Sequence, residues 1–211
     1  MATTPELFDM SDHVAVVTGA GRGIGEGIAR SFSEAGAAVV VAARRTDEIE
    51  AVAASINDAG GRAIAVTTDV TDDDAVDALA RAAVDTFGKL TVWVNNAGGS
   101  TMRMPLRELP REEWDRTVAL NLTATYVGCI TAARYMARGS IINISSGAGS
   151  GPVPGSGHYG ASKAGTTRHS AGHRCRLPLP GFRRCQLGQR RDPPSRWRRQ
   201  ASLTVRPRAR P

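Results

Sequence analysis

Three residues in the second half of the chain have the types and the spacing for proton transfer to an oxygen atom. Tyr159 and Lys163 are four residues apart, and Ser146 precedes Tyr159 by thirteen residues. In a helix, residues four apart lie on one face, so the ammonium would stand beside the phenol and stabilise its phenolate. Tyr159 could then exchange a proton with a carbonyl or alcohol oxygen, to which the Ser146 hydroxyl also bonds. Exposed helical pairs of this kind also occur without a function.

A glycine-rich turn near the N-terminus could bind a phosphate group. Glycines stand at positions 19, 21, 23 and 25, directly after an apolar run. Without side chains the backbone can approach a pyrophosphate, and the following helix presents free N–H groups and the positive end of its dipole. The spacing is G-x-x-x-G-x-G, which departs from the G-x-G-x-x-G fingerprint, and glycines in a tight turn can also be purely structural. We expect dinucleotide contacts from Gly19, Arg22, Gly23, Ile24 and Gly25.

The residues that follow the second apolar run bear on the type of dinucleotide. A free ribose 2′-hydroxyl calls for a carboxylate at this point, but the chain has Arg44 and Arg45. A guanidinium there suits a 2′-phosphate, and Arg22 can assist from the glycine turn. The alternative, that both arginines are a solvated start of a helix, is stronger for Arg45 than for Arg44. We therefore predict NADP(H) rather than NAD(H), with Arg44 in contact with the cofactor.

Two further segments follow apolar runs and suit the edge of a cofactor site. Asp69 and Val70 lie where an adenine ring is expected, although Asp69 also suits a helix start beside Thr71. The segment Asn95-Asn96-Ala97-Gly98 is too polar and too small for a core. Its small residues let a flat ring lie against the backbone and its amides can tie it to the neighbouring strand, while a simple turn is the alternative. We expect cofactor contacts from Asp69, Val70, Asn95, Ala97 and Gly98.

An alternating series of strands and helices must position these residues. Short β-branched apolar runs predict strands at 13–18, 38–43, 63–68, 90–94 and 140–144. Longer patterns with a helical period predict helices at 24–35, 47–58, 72–87 and 111–137. This alternation is typical of parallel βαβ units, and the nearly continuous apolar strands fit a sheet that is covered on both faces. The predicted fold class is α/β, with a doubly wound, Rossmann-type parallel sheet.

The ordered set of motifs resembles the short-chain dehydrogenase/reductases over about residues 10–165. The motifs that carry the resemblance are the glycine turn, Asp69, the segment 95–98, Asn121, Ser146, Tyr159 and Lys163. It implies an enzyme that interconverts a carbonyl and a secondary alcohol with a nicotinamide cofactor. Tyr159 would be the acid/base and would also contact the cofactor, and Ser146 would be the partner of the substrate oxygen. Lys163 would hold the nicotinamide ribose and tune Tyr159. Asn121 would anchor a water molecule that connects Lys163 to solvent.

The chain departs from this family's pattern after Lys163. The family continues with a sixth strand, a substrate-covering helix pair and a seventh strand, whereas residues 166–211 hold thirteen arginines, six prolines and one acid, Asp192. Such a composition cannot bury enough apolar surface to offset its ordering entropy. We predict an incomplete NADP(H)-binding domain at 1–165 and a disordered Arg/Pro-rich tail at 166–211. The sheet would be truncated after its fifth strand, with an apolar edge open to aggregation and with cofactor binding weak or absent.

Three explanations of this tail compete. A basic tail could bind nucleic acid or an acidic partner, but Phe182 and Trp197 are its only aromatic residues. Zinc ligands could come from His169, His173, Cys175 and Cys185, but their spacing fits no familiar zinc pattern, so we predict no metal. A frameshift is favoured, because the degenerate codons of 171–177 and 186–193, read one base later, permit Leu-Ala-Ile-Asp-Val-Ala and Asn-Ser-Val-Ser-Ala-Gly-Thr. These strings resemble the family's helix continuation and sixth strand.

Charge and composition limit the partners and the location that we expect for this protein. The net charge of +7 comes from the tail, and residues 1–165 are mildly acidic, so we expect neither nucleic acid nor a membrane as partner. No apolar run reaches the length of a membrane span and no secretory signal begins the chain, so a cytoplasmic location is expected. The expected partner is a small-molecule ketone or secondary alcohol. The resemblance implies a homo-oligomer for intact relatives, and the truncation puts such an assembly in doubt for this chain. The alternative function is a non-catalytic cofactor-binding protein or a basic-tailed interaction protein.

Overall fold

Five runs of small and β-branched residues form a parallel sheet. The computed structural model describes residues 8–100 and 102–172, and the strands in them are β1 Val14–Thr18, β2 Ala38–Ala43, β3 Arg62–Thr67, β4 Val92–Asn95 and β5 Ser140–Asn143. Their order across the sheet is β3-β2-β1-β4-β5, and every neighbouring pair is parallel. From β1 the chain adds β2 and β3 on one side of the sheet, and it then crosses to the other side to add β4 and β5. The strand order therefore switches between β1 and β4, and doubly wound sheets bind ligands at such a switch point, at the carboxyl ends of their strands.

Helices cover both faces of this sheet. They are α1 Gly23–Glu34, α2 Thr46–Asp58, α3 Asp73–Phe87, α4 Arg111–Val118, α5 Ala124–Tyr135 and α6 Gly157–Gly172. On one face Val17 and Val39 pack with Ile49 of α2, and on the other Trp93 packs with Leu79 of α3. Because both faces are buried, apolar residues follow one another in β1 and β2 instead of alternating with polar ones. The predicted doubly wound, Rossmann-type sheet is confirmed.

Local signals set the element boundaries. The Asp72 carboxylate accepts hydrogen bonds from the N–H groups of Asp74 and Ala75, at 3.0 and 3.2 Å, and so caps the start of α3. Gly88, with φ of 78°, ends the same helix in the left-handed conformation. The five strands lie within two residues of their predicted bounds.

The helix predicted at 111–137 contains an irregularity that the sequence pattern does not reveal. Between α4 and α5 the chain forms a π turn, Ala119–Thr123, with Asn121 at its centre. π turns are rare and recur at functional sites. Here the Thr166 hydroxyl of α6 donates to the Asn121 carbonyl oxygen at 3.0 Å. The same oxygen accepts from the Thr125 hydroxyl at 3.0 Å, so the irregular turn carries both a tertiary and a local hydrogen bond.

The far end of the described chain also differs from its prediction. The tail was expected to begin at residue 166, but α6 continues to Gly172, and Thr166 is buried within it. The rest of the predicted tail and the reading-frame hypothesis lie outside the described residues. So do His173, Cys175 and Cys185, which were considered as zinc ligands and rejected, and the side chain of His169. Within the described ranges, no helix has the length and apolar character needed to cross a membrane.

Candidate functional site

Thr18 and Asn96 tie the carboxyl ends of β1 and β4 together. The Thr18 hydroxyl donates to the Val94 carbonyl at 3.0 Å and accepts from the N–H groups of Asn96 and Ala97, at 3.0 and 3.1 Å. The Asn96 side chain donates to the carbonyl oxygens of Thr18 and Gly19, at 2.9 and 3.1 Å. The glycine turn is thus held against the segment 95–98. This tie was expected of the asparagine amides, but neither Thr18 nor Asn96 was among the predicted site residues.

The glycine turn forms a cradle at the start of α1. A Cβ atom at Gly25 would stand 2.3 Å from the Gly19 carbonyl oxygen and 2.5 Å from Asn96 Nδ2, so only glycine lets the helix approach this closely. Gly23 has a φ of 61°, and a Cβ atom there would meet no atom within 4 Å. The space beside Gly23, at the start of α1, is therefore open. A pyrophosphate fits this cradle, because the backbone donors and the helix dipole both favour an anion.

Arg22 and Ile24 flank this cradle on its outer side. Arg22 is exposed and extended, with φ of −163°, immediately before α1. The Ile24 side chain is 69 % exposed and lines an apolar groove of about 360 Å³ with Ile28, Phe32 and Ile142. The backbone of Ile24 thus belongs to the first turn of α1, whereas its side chain belongs to the groove.

Two ion pairs stand at the ends of β2 and β3. An Arg44 nitrogen lies 4.0 Å from the Asp69 carboxylate, and the Arg44 side chain is largely exposed whereas that of Asp69 is 44 % exposed. Asp69 also accepts from the N–H group of Thr71 at 3.0 Å and from its hydroxyl at 2.8 Å, and these bonds, the backbone one first, lower the pKa of Asp69. Arg45 pairs with Glu48 at 3.0 Å. Sequence reasoning missed Glu48, which the i,i+3 spacing from Arg45 at a helix start could have indicated.

Val70 and Ala97, two of the predicted cofactor contacts, sit on the α3 side of the sheet. Val70 is buried in the core on that side, and Ala97 packs against the same core from the end of β4. Both residues also line a small cavity of about 10 Å³ with Thr18 and Asn95. The structure thus brings these two predicted residues together at the carboxyl ends of β3 and β4.

The Asn95 side chain points into the protein. Its oxygen accepts from the Trp93 indole N–H at 2.7 Å, and its nitrogen donates to the Asn143 side-chain oxygen at 2.8 Å. A Cβ atom at Gly128 of α5 would stand 2.1 Å from that Asn95 oxygen, so this glycine is needed for the network to form. The Asn95 amide thus joins β4 to β5 and α5. Because the side chain is engaged in this network, the cofactor contact expected of Asn95 would have to come from its backbone, which lies at the carboxyl end of β4.

The predicted proton-transfer pair lies on one face of α6. Lys163 Nζ is 5.9 Å from the centroid of the Tyr159 ring and donates to the Ile144 carbonyl oxygen, just beyond β5, at 2.9 Å. Only 4 % of Lys163 is exposed, and this burial lowers the pKa of its ammonium group. The helix therefore holds a cation beside the phenol, in the arrangement that the four-residue spacing predicted.

Two glycines bring the loop that carries Ser146 against the same helix. Ser146 accepts from the Ala148 N–H group at 3.2 Å and so caps the short 3-10 turn Gly147–Gly149. A Cβ atom at Gly149 would stand 2.7 Å from the carbonyl carbon of Lys163, and one at Gly160 would stand 3.0 Å from the Ala148 oxygen. Because both side chains are absent, the loop packs on the backbone of α6. The loop that carries Ser146 is thus in direct contact with the helix that carries Tyr159, thirteen residues further along the chain.

Asn121 and Lys163 meet at Gly98. The Asn121 side chain is buried, donates to the carbonyl oxygens of Gly99 and Thr117 at 2.7 and 2.9 Å, and accepts from the Gly99 N–H group at 2.9 Å. A Cβ atom at Gly98 would stand 2.7 Å from the Asn121 oxygen and 3.3 Å from Lys163 Nζ. Asn121 therefore holds the loop after β4 next to the lysine. The water-anchoring role expected of Asn121 stays a prediction.

A buried histidine beside Tyr159 also belongs to this region, and sequence reasoning did not single it out. His158 Nε2 lies 2.9 Å from the Ser100 hydroxyl, which itself donates to the Met102 carbonyl oxygen at 2.9 Å. Nε2 must then be the donor in the first of these bonds. In the part of the chain that the structure describes, Nδ1 has no hydrogen-bond partner. Nothing in the local sequence marks His158, because its partner lies 58 residues away.

The described residues contain no group of three or more His, Cys, Asp or Glu side chains that could hold a metal ion. The donors present are instead backbone N–H groups, hydroxyls and cations, which suit a phosphorylated organic cofactor. A doubly wound sheet with a glycine cradle at its switch point, adjoined by Ser146, Tyr159 and Lys163, defines a dinucleotide-binding α/β protein.

Comparison with known proteins identifies the family. The family model described as short chain dehydrogenase matches residues 13–177, and the chain belongs to this family. Its members use NAD(P) and are named as dehydrogenases or reductases that act on hydroxyl and carbonyl groups. The resemblance stated from the motifs is confirmed.

Individual relatives are similar over most of this chain but are longer. Cis-4-hydroxycyclohexanecarboxylate dehydrogenase of Sinomonas cyclohexanicum is 41 % identical over 82 % of this chain and 74 % of its own length. 3beta-hydroxysteroid dehydrogenase 1 of Eggerthella lenta is 40 % identical over 74 % of this chain and 62 % of its own. The crystal structure of a dehydrogenase/reductase from Sinorhizobium meliloti 1021 has a TM-score of 0.73 at 34 % identity, covering 77 % of this chain and 65 % of that one. The matched region thus spans about two thirds of the relatives' length.

Proposed function

We propose that this chain is a cytoplasmic NADP(H)-dependent oxidoreductase that interconverts a carbonyl and a secondary alcohol, with Tyr159 as its acid/base. The observation that carries the proposal is the position of Lys163, whose buried ammonium lies 5.9 Å from the centroid of the Tyr159 ring. Burying an ammonium group is costly unless neighbouring groups compensate its charge. A phenolate at Tyr159 would be such a neighbour, in addition to the Ile144 carbonyl oxygen that Lys163 already contacts.

The proton steps follow from the groups around α6. In the reducing direction the Tyr159 hydroxyl gives its proton to the carbonyl oxygen, and Lys163 stabilises the phenolate that remains. The Ser146 hydroxyl donates a hydrogen bond to the same oxygen as negative charge develops on it. NADPH, when bound, supplies the hydride. Asn121, which binds both backbone groups of Gly99, keeps the loop after β4 in place beside Lys163.

Arginine side chains at the end of β2 support the preference for NADP(H). Arg44 and Arg45 stand where a cofactor with a free 2′-hydroxyl calls for a carboxylate, and Arg22 follows the glycine turn nearby. Guanidinium groups bind a phosphate through paired hydrogen bonds. Arg44 shares this position with Asp69, whose carboxylate is 4.0 Å away. We expect the pair to open when a 2′-phosphate binds.

Two relatives favour a ring alcohol as the substrate class. One is named for a hydroxycyclohexanecarboxylate and the other for a 3beta-hydroxysteroid, and both names describe a secondary alcohol on a six-membered ring. The loop that carries Met102 and Met104 leads from the cofactor edge towards α6, where Met104 binds the Gly155 carbonyl through its N–H group. Methionines suit an apolar ring of variable shape. A cyclic ketone is therefore the first substrate to test.

We further propose that turnover by this chain is impaired. Within residues 8–100 and 102–172, β5 forms an edge of the sheet. A site that is open on one side admits water, which weakens the electrostatic interactions that hydride and proton transfer need. The same observation favours a second candidate function, a cofactor-binding protein without catalysis.

The test is an assay of the purified full-length chain with NADPH and 4-oxocyclohexanecarboxylate or a 3-ketosteroid. We expect slow, Tyr159-dependent oxidation of NADPH, and binding of NADPH tighter than binding of NADH in a fluorescence titration. Binding without any turnover would favour the non-catalytic candidate. Failure to bind either dinucleotide would agree with the weak or absent binding expected of a truncated sheet, and would overturn both candidate functions for this chain.

A further inference from the structure

A carboxylate that no motif predicts stands against the glycine turn. Glu48, in the first turn of α2, packs on Gly21, and both its Cβ and its Oε2 lie 3.0 Å from the point where a Gly21 Cβ atom would stand. The absence of a side chain at Gly21 is therefore what makes room for Glu48. The Glu48 side chain is 26 % exposed, so its charge is only partly screened by water. A negative charge thus adjoins the cradle proposed for the dinucleotide phosphates.

Glu48 also restrains one of the two arginines at the end of β2. Arg45 Nη1 lies 3.0 Å from Glu48 Oε1, in an i,i+3 pair across the start of α2. The Arg45 side chain is 53 % exposed. Without its ion pair to Glu48, it is long enough to turn towards a ligand bound beside Arg44, its neighbour in the chain. While the pair is closed, the Arg45 guanidinium is directed to a carboxylate of the protein and not to a ligand.

Positive and negative side chains nearly cancel in the region where the 2′-phosphate is expected to bind. Arg22, Arg44 and Arg45 bring three positive charges, and Asp69 and Glu48 bring two negative ones that each face an arginine. A 2′-phosphate, which carries close to two negative charges at pH 7, must compete with these carboxylates for the guanidinium groups. A 2′-hydroxyl carries no charge and has no such competition.

We infer that Glu48 is a specificity-determining residue that limits the preference of this chain for NADP(H) over NAD(H), by holding Arg45 and by repelling the 2′-phosphate. The inference rests on the proposed cofactor preference and refines it. Glu48 does not bind the cofactor in this account. It acts through Arg45 and through its charge next to Gly21.

The test compares dinucleotide binding by the full-length chain and matched variants, without any need for turnover. NADPH and NADH are titrated by their nicotinamide fluorescence into wild type, Glu48→Gln and Glu50→Gln. The control Glu50→Gln removes the same charge from an exposed position on the same helix, two residues along. Far-UV circular dichroism checks that all variants are folded.

The expected result is a change in the ratio of the two dissociation constants. Glu48→Gln should raise the preference for NADPH by about three- to fivefold, the scale of solvent-exposed charge interactions, with the NADH constant nearly unchanged. Glu50→Gln should leave the ratio as in wild type. Adding Arg45→Ala to Glu48→Gln should remove at least half of the gain, because Arg45 is then no longer there to be released.

Each contrary outcome has a distinct meaning. An unchanged ratio in Glu48→Gln, with NADPH still preferred, overturns this inference and leaves the proposed function standing. An equal gain in Glu50→Gln overturns it too, because the effect would then come from net charge alone. A gain that survives Arg45→Ala in full overturns the role of Arg45. Absence of binding by either dinucleotide in every variant overturns the inference together with the proposed function.

Discussion

Lys163 and Tyr159 stand one helical turn apart in α6, with Lys163 Nζ 5.9 Å from the centroid of the Tyr159 ring. The same Nζ atom donates to the Ile144 carbonyl oxygen at 2.9 Å. The ammonium is thus held between the tyrosine and the end of β5, and the backbone of the sheet fixes its position. Two predictions concern this pair directly.

Replacing Tyr159 by phenylalanine removes the proton donor and leaves the ring in place. We expect NADPH-dependent ketone reduction to fall by about 10²- to 10⁴-fold, the contribution of a general acid, with little change in the dissociation constant for NADPH. Stopped assays of alcohol formation measure the first quantity and fluorescence titration the second. Tyr126→Phe, at a half-exposed position in α5, is the matched control. Equal rates in Tyr159→Phe and Tyr126→Phe would show that Tyr159 is not the acid.

The buried ammonium of Lys163 makes stability depend on pH in the alkaline range. Burial lowers the pKa of Lys163 in the folded chain below its ordinary value of 10.5, so between these two pKa values the unfolded chain binds more protons. The free energy of unfolding therefore gains a contribution that rises with pH across this window. Lys163→Met lacks that contribution.

Urea unfolding at pH 7 and at pH 10 measures the effect. The stability of wild type relative to Lys163→Met should increase from the lower to the higher pH. Lys89→Met, which removes a lysine from an exposed ion pair with Asp12, should show no comparable increase. A difference between wild type and Lys163→Met that does not vary with pH would contradict the prediction.

The glycine cradle is sensitive to one added methyl group. A Cβ atom at Gly25 would overlap the Gly19 carbonyl and the Asn96 amide, so Gly25→Ala must push α1 away from the turn. Overpacking of this kind costs about 1–3 kcal/mol, and we expect the affinity for NADPH to fall by about tenfold or more. Gly27→Ala, in the same helix with no atom within 4 Å of the added carbon, is the control and should bind as wild type does. Equal affinities in the two variants would place the cofactor elsewhere.

Much of this architecture was accessible from the sequence for a simple reason. The strands are short apolar runs between polar turns, and such a pattern is local, so β2 was predicted at its observed bounds, Ala38–Ala43. The joint order of the glycine turn, Ser146, Tyr159 and Lys163 identified the family because the chance of all four in sequence is small. The four-residue spacing then fixed Lys163 beside Tyr159.

Residues whose roles arise from tertiary contacts were not accessible in this way. The contacts of Glu48 with Gly21 and of His158 with Ser100 cross long stretches of sequence and leave no local pattern, although the spacing of Glu48 from Arg45 is local. The π turn around Asn121 has the composition of an ordinary helix, and one of its hydrogen bonds comes from Thr166 of α6. Asn95 looked like a residue for the cofactor, yet its side chain binds Trp93 and Asn143 in the interior.

In the part of the chain that the structure describes, β5 is an edge strand, and this position leads to a prediction about self-association. Ile142, in β5, is 38 % exposed and lines the apolar groove with the more exposed Ile24. Edge strands with apolar side chains pair with other chains unless a charge or a cover prevents it. We therefore expect the full-length chain to self-associate as its concentration rises, and Ile142→Lys to weaken this association.

Loss of one buried isoleucine side chain corresponds to about tenfold in the association constant. Lysine is tolerable at this position because its stem can lie along the groove while its ammonium reaches water. Analytical ultracentrifugation over a concentration series measures the shift, with Leu106→Lys, exposed but outside the groove, as the control for added charge. If both variants weaken association equally, the effect arises from net charge, and the groove beside β5 is not the surface through which copies of this chain meet.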